Sequence, residues 1–237
     1  MDVGTGRQAL ALKEIGAKQV THYDISATNV KQFSNYISNN NLPIKSYQAD
    51  ICDENFNNNE KYDFIYLQGV IQHVKSPSKA IKNLSIACNQ NGVLWFYYYQ
   101  AGPLIHLYSQ ALRRLLPKNM DPNNLINLLS KSNFTVKDID YILDDCGCTY
   151  RHLIKNQDYQ LAIEENGFRK IFSKDISDQS KGLDLSLKRV GCISAYVKQE
   201  GLNPDINFKQ KELAHIDHFM PQHFKKEQQP FCKRPRV

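Results

Sequence analysis

The first residues of the chain constrain its fold more than any other stretch. The sequence there is Asp2-Val3-Gly4-Thr5-Gly6-Arg7, followed by an apolar segment and then by Val20-Thr21-His22-Tyr23-Asp24. This pattern predicts a strand end, a glycine turn, a helix and a second strand that ends in a carboxylate. Glycines suit such a turn because the backbone bends sharply and lets a ligand approach closely. Taken alone, Gly-x-Gly is equally compatible with a tight loop that binds nothing.

The spacing of Asp24 favours a ligand at this turn. Asp24 lies near the distance of about 20 residues at which a second-strand carboxylate binds the hydroxyls of a ribose. The helix that follows the turn also directs its N–H groups and the positive end of its dipole toward the ligand. The start of the chain therefore predicts a site for a nucleoside-containing cofactor.

Strands and helices alternate over the first hundred residues. Five short apolar strands are predicted with amphipathic helices between them, at residues 1–3, 20–24, 44–49, 62–67 and 93–99. This alternation predicts an α/β fold with a doubly wound, Rossmann-like, mostly parallel sheet. Right-handed crossovers bring the strand ends to one edge of such a sheet. We therefore expect Gly4, Asp24, Asp50 and Gln68 to line a single crevice.

The pattern changes after Gln100. Residues 101–151 are predicted to be a helical insertion over the crevice, with helices at 104–116 and 121–129. A helix at 157–165 and two alternating strands, at 168–172 and 192–197, then complete the sheet, and the last strand is expected to be antiparallel. This gives one domain over residues 1–200 and a polar tail over 201–237.

Composition excludes several classes of protein. Apolar residues make up 41% and charged residues 23%, as in an ordinary soluble globular domain. The net charge of +6 includes a basic C-terminal end, for which a solvated tail is a better explanation than a nucleic-acid site. The longest apolar run, residues 93–99, is far shorter than the roughly 20 residues that span a bilayer. Six cysteines without a disulfide framework, and no export signal, predict a cytoplasmic protein.

Six short motifs, in this order, define a family resemblance. They are Asp2-Val3-Gly4-Thr5-Gly6, Tyr23-Asp24-Ile25-Ser26, Ala49-Asp50-Ile51, the stretch 62–74, Asn91-Gly92-Val93-Leu94 and Gly167-Phe168-Arg169. Over roughly residues 1–198 the chain resembles a class I S-adenosylmethionine-dependent methyltransferase. It is similar to the broad small-molecule group that includes the ubiquinone-biosynthesis-like enzymes. The resemblance implies methyl transfer to a small-molecule acceptor, whose identity no motif specifies.

The resemblance assigns residues to the methionine part of S-adenosylmethionine. Gly4 and Gly6 would let the backbone approach it. Asp2 would help to hold its ammonium group, and Gln68 would lie at the methionyl end near the sulfur.

The resemblance also assigns residues to the adenosine part. Asp24 would bind the ribose and Asp50 the adenine amino group, because carboxylates accept hydrogen bonds from both kinds of donor. Ile25 and Ile51 would lie against the ring faces as an apolar slot for the purine.

Candidate catalytic residues follow the fourth and fifth strands. His73 is the best placed base, and Tyr98, Tyr99 and His106 are expected near the acceptor. A structural hydrogen bond is the alternative for His73, and core packing is the better explanation for Trp95 and Tyr97.

The chain departs from the family pattern at its beginning. Gln8 stands where a third glycine is usual, and only Met1 to Val3 precede the turn. Because a central strand usually has about five residues, we expect an N-terminally truncated sequence that binds its cofactor weakly.

Two other functions remain open from the residues alone. Gly4-Thr5-Gly6-Arg7-Gln8-Ala9 also satisfies Gly-x-Gly-x-x-Ala, which is typical of NAD-dependent oxidoreductases. The short first strand is compatible with a degenerate, non-catalytic scaffold protein. Two loose groups of cysteines and histidines lack the spacing of a structural zinc site, so no metal is expected. The first group is Cys146, Cys148 and His152, and the second is His215, His218, His223 and Cys232.

Overall fold

The computed structural model describes residues 1–4, 6–99, 111–115, 122–131, 139, 142–143, 146, 148–152, 154–176 and 191–199. The described residues fall into two compact units, within residues 1–48 and 49–199. None of the described helices is long and apolar enough to cross a membrane.

The first unit is a parallel three-stranded sheet with two helices. Its elements are β1 (Asp2–Val3), α1 (Arg7–Glu14), β2 (Val20–Asp24), α2 (Ala27–Asn39) and β3 (Ile44–Gln48). Strand β2 lies between β1 and β3 and is parallel to both. All five of its residues are buried, as is typical of a central parallel strand.

Helix α2 begins after a capping serine. The side chain of Ser26 accepts a hydrogen bond from the backbone N–H of Asn29 at 3.3 Å and so caps the helix. Phe33 and Ile37, one turn apart on the helix, are buried. The cap therefore fixes where the chain turns away from the end of β2.

The second unit contains a set of strands with helices between them. Its elements are β4 (Tyr62–Gln68), a 3₁₀ turn (Ile71–His73), α3 (Pro77–Ala87), β5 (Cys88–Tyr99), α4 (Pro122–Ser130), α5 (Asn156–Glu165), β6 (Phe168–Ile176) and β7 (Gly191–Lys198). Strands β4 and β5 are parallel, whereas β7 is antiparallel to both β5 and β6 and lies between them. The predicted α/β fold, with mostly parallel strands and an antiparallel last strand, is confirmed.

The fifth strand begins earlier than the sequence suggests. Asn91-Gly92 is a sequence typical of turns, but both residues lie inside β5, which begins at Cys88 rather than at residue 93. Tyr62 pairs with Cys88 and Phe64 with Val93, so the intervening residues of β5 form an irregularity in the pairing. Asn91 has a positive φ of 60°, which asparagine tolerates better than most residues. The turn signal is therefore accommodated as a bulge within a strand.

The predicted insertion is described only in part. Residues 111–115 are helical, and α4 confirms the helix expected after Asp121. A separate hydrophobic cluster forms here from Leu125, Leu129, Ile139, Ile142 and Leu143. The remainder of the predicted helix 104–116, and the tail 201–237, lie outside the described residues. The placement of the insertion over a crevice, and the division at residue 200, remain predictions.

Candidate active site

The glycine turn after β1 has the conformation that its sequence requires. Gly4 and Gly6 have φ values of 139° and 82°, in the region that side chains with a Cβ disfavour. A Cβ on Gly6 would also lie 2.7 Å from ring carbons of Phe33. Glycine is therefore favoured at position 6 for two reasons: the backbone angles of the turn and the close packing of Phe33, which belongs to α2. Asp2 pairs with His22 in the sheet, and its side chain lies outside the described part of the structure.

A buried histidine, not predicted from the sequence, holds this turn. The imidazole of His22 is fully buried and makes hydrogen bonds from Nε2 to the carbonyl oxygen of Gly4 and between Nδ1 and Oγ of Ser46, the latter at 2.8 Å. Because a carbonyl only accepts, Nε2 is the protonated nitrogen, and Nδ1 accepts from the hydroxyl of Ser46. The ring also meets Phe33 edge-on, with centroids 4.8 Å apart.

The surroundings of His22 favour its neutral form. Burial lowers the pKa of His22, and this exceeds the opposing effects of the hydrogen bond to Gly4 and the nearby charge of Asp24. The neutral tautomer is the form that matches the two hydrogen bonds. His22 therefore links the glycine turn to strands β2 and β3 without placing a charge in the core.

Asp24 has a fixed orientation at the end of β2. Its side chain is 8% exposed. One carboxylate oxygen accepts from the backbone N–H of Ser26 at 2.7 Å and the other from the side-chain amide of Asn29 at 2.9 Å. A carboxylate offers about four lone-pair positions, so these two bonds leave about two. That number suits a ligand with two adjacent hydroxyl groups.

Ile25 lies next to this carboxylate and is unusually exposed. Its side chain is 65% exposed, although it is a large apolar group. Its carbonyl accepts a hydrogen bond from the side chain of Gln48 at 3.2 Å, which fixes the backbone here. An exposed isoleucine beside an oriented carboxylate offers an apolar surface to a flat ring.

In the second unit, Asp50 and Ile51 differ in exposure. Asp50 is partly buried, and its carboxylate accepts from the backbone N–H of Cys52 at 2.9 Å. Ile51 is only 3% exposed, and its carbonyl accepts from Asn83 at 3.0 Å. Ile51 therefore presents far less surface to a ligand than Ile25 does. The roles predicted for both residues remain predictions.

The turn after β4 is the second strand end with a glycine. Gln68 is exposed, and its side-chain oxygen accepts from the hydroxyl of Tyr66. Gly69 has a φ of 66°, and its N–H donates to the carbonyl of Tyr97 at 2.9 Å. The 3₁₀ turn follows at once, so residues 68–73 form one compact loop at the end of β4.

Of the residues expected near the acceptor, His73 and Tyr99 lie together. Their rings meet edge-on, with centroids 6.3 Å apart, and both are partly buried. Tyr98 is fully buried instead, and its hydroxyl bonds to the side chain of Asn156. Successive strand residues face opposite sides, so Tyr98 lies on the other face of β5 from Tyr99; the roles predicted for both tyrosines remain predictions. His106 lies outside the described residues.

The segment around Arg151 also contributes to this region, and no sequence pattern indicates its contribution. Nδ1 of His73 donates to the carbonyl of Tyr150 at 3.3 Å, and the N–H of His152 donates to the carbonyl of Gln72 at 2.8 Å. These two bonds flank Arg151, whose guanidinium carbon lies 5.2 Å from the ring centroid of Tyr99. That distance is typical of a cation–π contact.

No metal site accompanies these groups. Within the described ranges, no set of three or more His, Cys, Asp or Glu side chains is arranged to hold a metal ion.

Comparison with known proteins finds a family match in the first part of the chain. Residues 1–96 match the family of the methyltransferase domain. No curated protein matches the sequence. The family match favours a methyltransferase over the oxidoreductase and the scaffold.

Solved structures share the fold at low sequence identity. The YcgJ protein of Bacillus subtilis is 14% identical, with 84% of this chain and 91% of that chain covered at a TM-score of 0.54. The 4+2 cyclase SpnF is 13% identical, with 84% of this chain and 75% of that chain covered at a TM-score of 0.56. A candidate sarcosine dimethylglycine methyltransferase of Galdieria sulphuraria is 12% identical, with 85% of this chain and 77% of that chain covered at a TM-score of 0.54. At these identities the likeness shows the fold alone, which is the Rossmann-like α/β fold.

Proposed function

We propose that the protein transfers a methyl group from S-adenosylmethionine to a small-molecule acceptor, because residues 1–96 match the family of the methyltransferase domain. The carboxylate of Asp24 is the observation that supports this most directly. Two internal hydrogen bonds orient it at the end of β2, and its remaining lone pairs suit the two hydroxyls of a ribose.

The proposed cofactor contacts follow the strand ends. The methionine part is bound by Asp2, Gly4, Gly6 and Gln68, and the adenosine part by Asp24, Ile25, Asp50 and Ile51. The exposed side chain of Ile25 supports the assignment to the purine, since contact with a ring would bury its apolar surface. Gly4 and Gly6 present backbone groups to the cofactor without an intervening Cβ.

The protein has little covalent chemistry of its own to perform. When bound, S-adenosylmethionine supplies a methyl group already activated on a sulfonium centre. The chain aligns the acceptor with that methyl group and excludes water. For an acceptor that loses a proton, His73 is the proposed base, because its imidazole is partly buried beside the ring of Tyr99 in the loop after β4. Tyr99 lies beside His73 and positions the acceptor; His106 is a further candidate.

Replacing Asp24 tests this function. Asp24→Ala should weaken the binding of S-adenosylhomocysteine by about 100-fold or more, because two hydrogen bonds to a charged group contribute about 1.5–3 kcal/mol each. Isothermal titration calorimetry measures the affinity. Urea unfolding followed by circular dichroism measures the stability of the same variant.

Asn29→Ala is the matched control, because it removes one internal bond of Asp24 and keeps the carboxylate. This variant should bind S-adenosylhomocysteine within about fivefold of the wild type, since it loses one hydrogen bond of about 1 kcal/mol. Equal affinity in Asp24→Ala and the wild type would contradict the ribose role. Binding of NAD in place of S-adenosylhomocysteine would overturn the function, and binding of neither would favour a scaffold.

A further inference from the structure

The loop at residues 68–73 contains a buried side-chain amide, that of Gln72, without a hydrogen-bond partner among the described residues. Gln72 has no exposed surface, and neither atom of its side-chain amide forms a hydrogen bond within the described part of the chain. Such a group destabilises the folded state, because it has lost its hydrogen bonds to water without replacement. An apolar side chain of similar size would avoid this loss. The amide is therefore better explained by a ligand than by folding.

The amide shares its position with the hydroxyl of Tyr99. A Cβ built on Gly69 would lie 3.7 Å from Nε2 of Gln72 and 3.4 Å from the hydroxyl oxygen of Tyr99. Both polar groups thus lie within contact distance of the same point beside Gly69. Gly69 follows Gln68, the residue proposed to lie at the methionyl end of the cofactor.

A guanidinium completes the cluster. Arg151 lies over the ring of Tyr99, and the hydrogen bonds of Tyr150 and His152 to the 3₁₀ turn fix the backbone on both sides of it. An arginine remains charged at every relevant pH and matches a carboxylate in shape. The cluster therefore combines one fixed positive charge with one amide donor and one phenol.

We infer that the methyl acceptor is a carboxylic acid whose carboxylate binds Arg151 and Gln72 beside Tyr99. A single guanidinium balances the single charge of a carboxylate, whereas a phosphate brings about two charges. The inference rests on the proposed function, because the acceptor must lie next to the donated methyl group. Arg151 and Gln72 are specificity-determining residues in this view, and His73 remains the base.

The test measures the binding of benzoate to the full chain saturated with S-adenosylhomocysteine. Benzoate should raise the melting temperature, and neutral benzamide should not. Arg151→Met should weaken benzoate binding by about tenfold or more, as expected for the loss of a charge-assisted contact. Gln72→Leu should weaken it by about threefold to tenfold while leaving the melting temperature without benzoate equal or higher.

Arg169→Met is the matched control, since it removes the same charge from an exposed position on β6 and should leave benzoate binding unchanged. A melting temperature indifferent to benzoate, or raised equally by benzamide, would overturn the inference. So would unchanged benzoate binding in Arg151→Met, or a lower melting temperature of Gln72→Leu without benzoate. A larger effect of phenyl phosphate than of benzoate would overturn it in favour of a phosphorylated acceptor.

These measurements distinguish the proposed function from the inference about the acceptor. If S-adenosylhomocysteine binds and benzoate does not, the inference fails and the proposed function stands. If S-adenosylhomocysteine does not bind, both fail.

Discussion

Replacing His22 by phenylalanine should weaken the cofactor turn without unfolding the protein. Phenylalanine keeps a ring of similar volume in the same buried place and keeps the edge-on contact with Phe33. It removes both hydrogen bonds of the imidazole, to the carbonyl of Gly4 and to the hydroxyl of Ser46. The substitution therefore separates the polar role of His22 from its packing role.

The size of the effect follows from the burial of the two partners. A buried group left without its hydrogen bond destabilises a protein by about 1–3 kcal/mol. Gly4 and Ser46 are only partly buried, so water replaces part of what each one loses. We therefore expect a loss of about 1–2 kcal/mol in the free energy of unfolding, which leaves a typical domain folded.

Cofactor affinity should fall as well, because the turn is less often in the conformation that binds. A free-energy change of about 1 kcal/mol in that equilibrium lowers the affinity about fivefold. Calorimetric titration with S-adenosylhomocysteine measures this change, and urea unfolding measures the stability.

Ser46→Ala is the companion variant, because it removes the partner of Nδ1 and leaves the bond to Gly4 in place. It should lose about half as much stability and bind S-adenosylhomocysteine nearly as the wild type does. Two results would refute the role of His22 in holding the turn. One is unchanged affinity in His22→Phe despite lower stability, and the other is an equal loss of affinity in Ser46→Ala.

Two further predictions concern the same turn. Since burial lowers the pKa of His22, the unfolded chain takes up a proton first as the pH falls below about 6.5. The free energy of unfolding should then decrease on acidification, by at most about 1.4 kcal/mol per pH unit from this group. Urea unfolding at pH 7.5, 6.5 and 5.5 should show this component in the wild type and not in His22→Phe; equal slopes in both would contradict it. Gly6→Ala should destabilise the protein by more than the roughly 1–2 kcal/mol expected for a left-handed alanine, because its Cβ would also meet Phe33 at 2.7 Å. Gly16→Ala, with a φ of 102° and open space around the new Cβ, should show only the backbone contribution, and equal losses in the two variants would refute the clash.

Local sequence pattern was sufficient for the order of the elements. The Ser26 cap of α2 and the Ser76-Pro77 start of α3 fit the usual helix-start signals, and the antiparallel last strand is as the sequence predicts. These features depend on residues close together in the chain, such as a capping side chain and the N–H three residues later. The predicted start of β5 is wrong. The turn signal at Asn91-Gly92 does not reveal that these residues stay within β5, as an irregularity in its pairing with β4.

The partners of buried polar groups could not be predicted in the same way. His22 is one of several residues in an apolar strand, and only packing places its ring between Gly4 and Ser46. Arg151 is distant in sequence from Tyr99, and two backbone hydrogen bonds bring its segment to the 3₁₀ turn. A histidine in a strand or an arginine in a loop has no periodic signal that distinguishes these outcomes.

The two halves of the proposed reaction differ in how far sequence reveals them, and the difference has a chemical cause. The family match ends at residue 96, three residues before Tyr99 and well before Arg151. A methyl donor of fixed structure needs the same few groups at the strand ends, so short motifs such as Gly4-Thr5-Gly6 and Asp24-Ile25-Ser26 suffice to indicate them. An acceptor differs from one enzyme to the next and needs only a charge and a few polar groups in the right place. Such groups are recognisable as buried polar atoms that lack partners, as in Gln72. Whether an atom is buried and unpartnered depends on the folded structure rather than on a pattern in the chain.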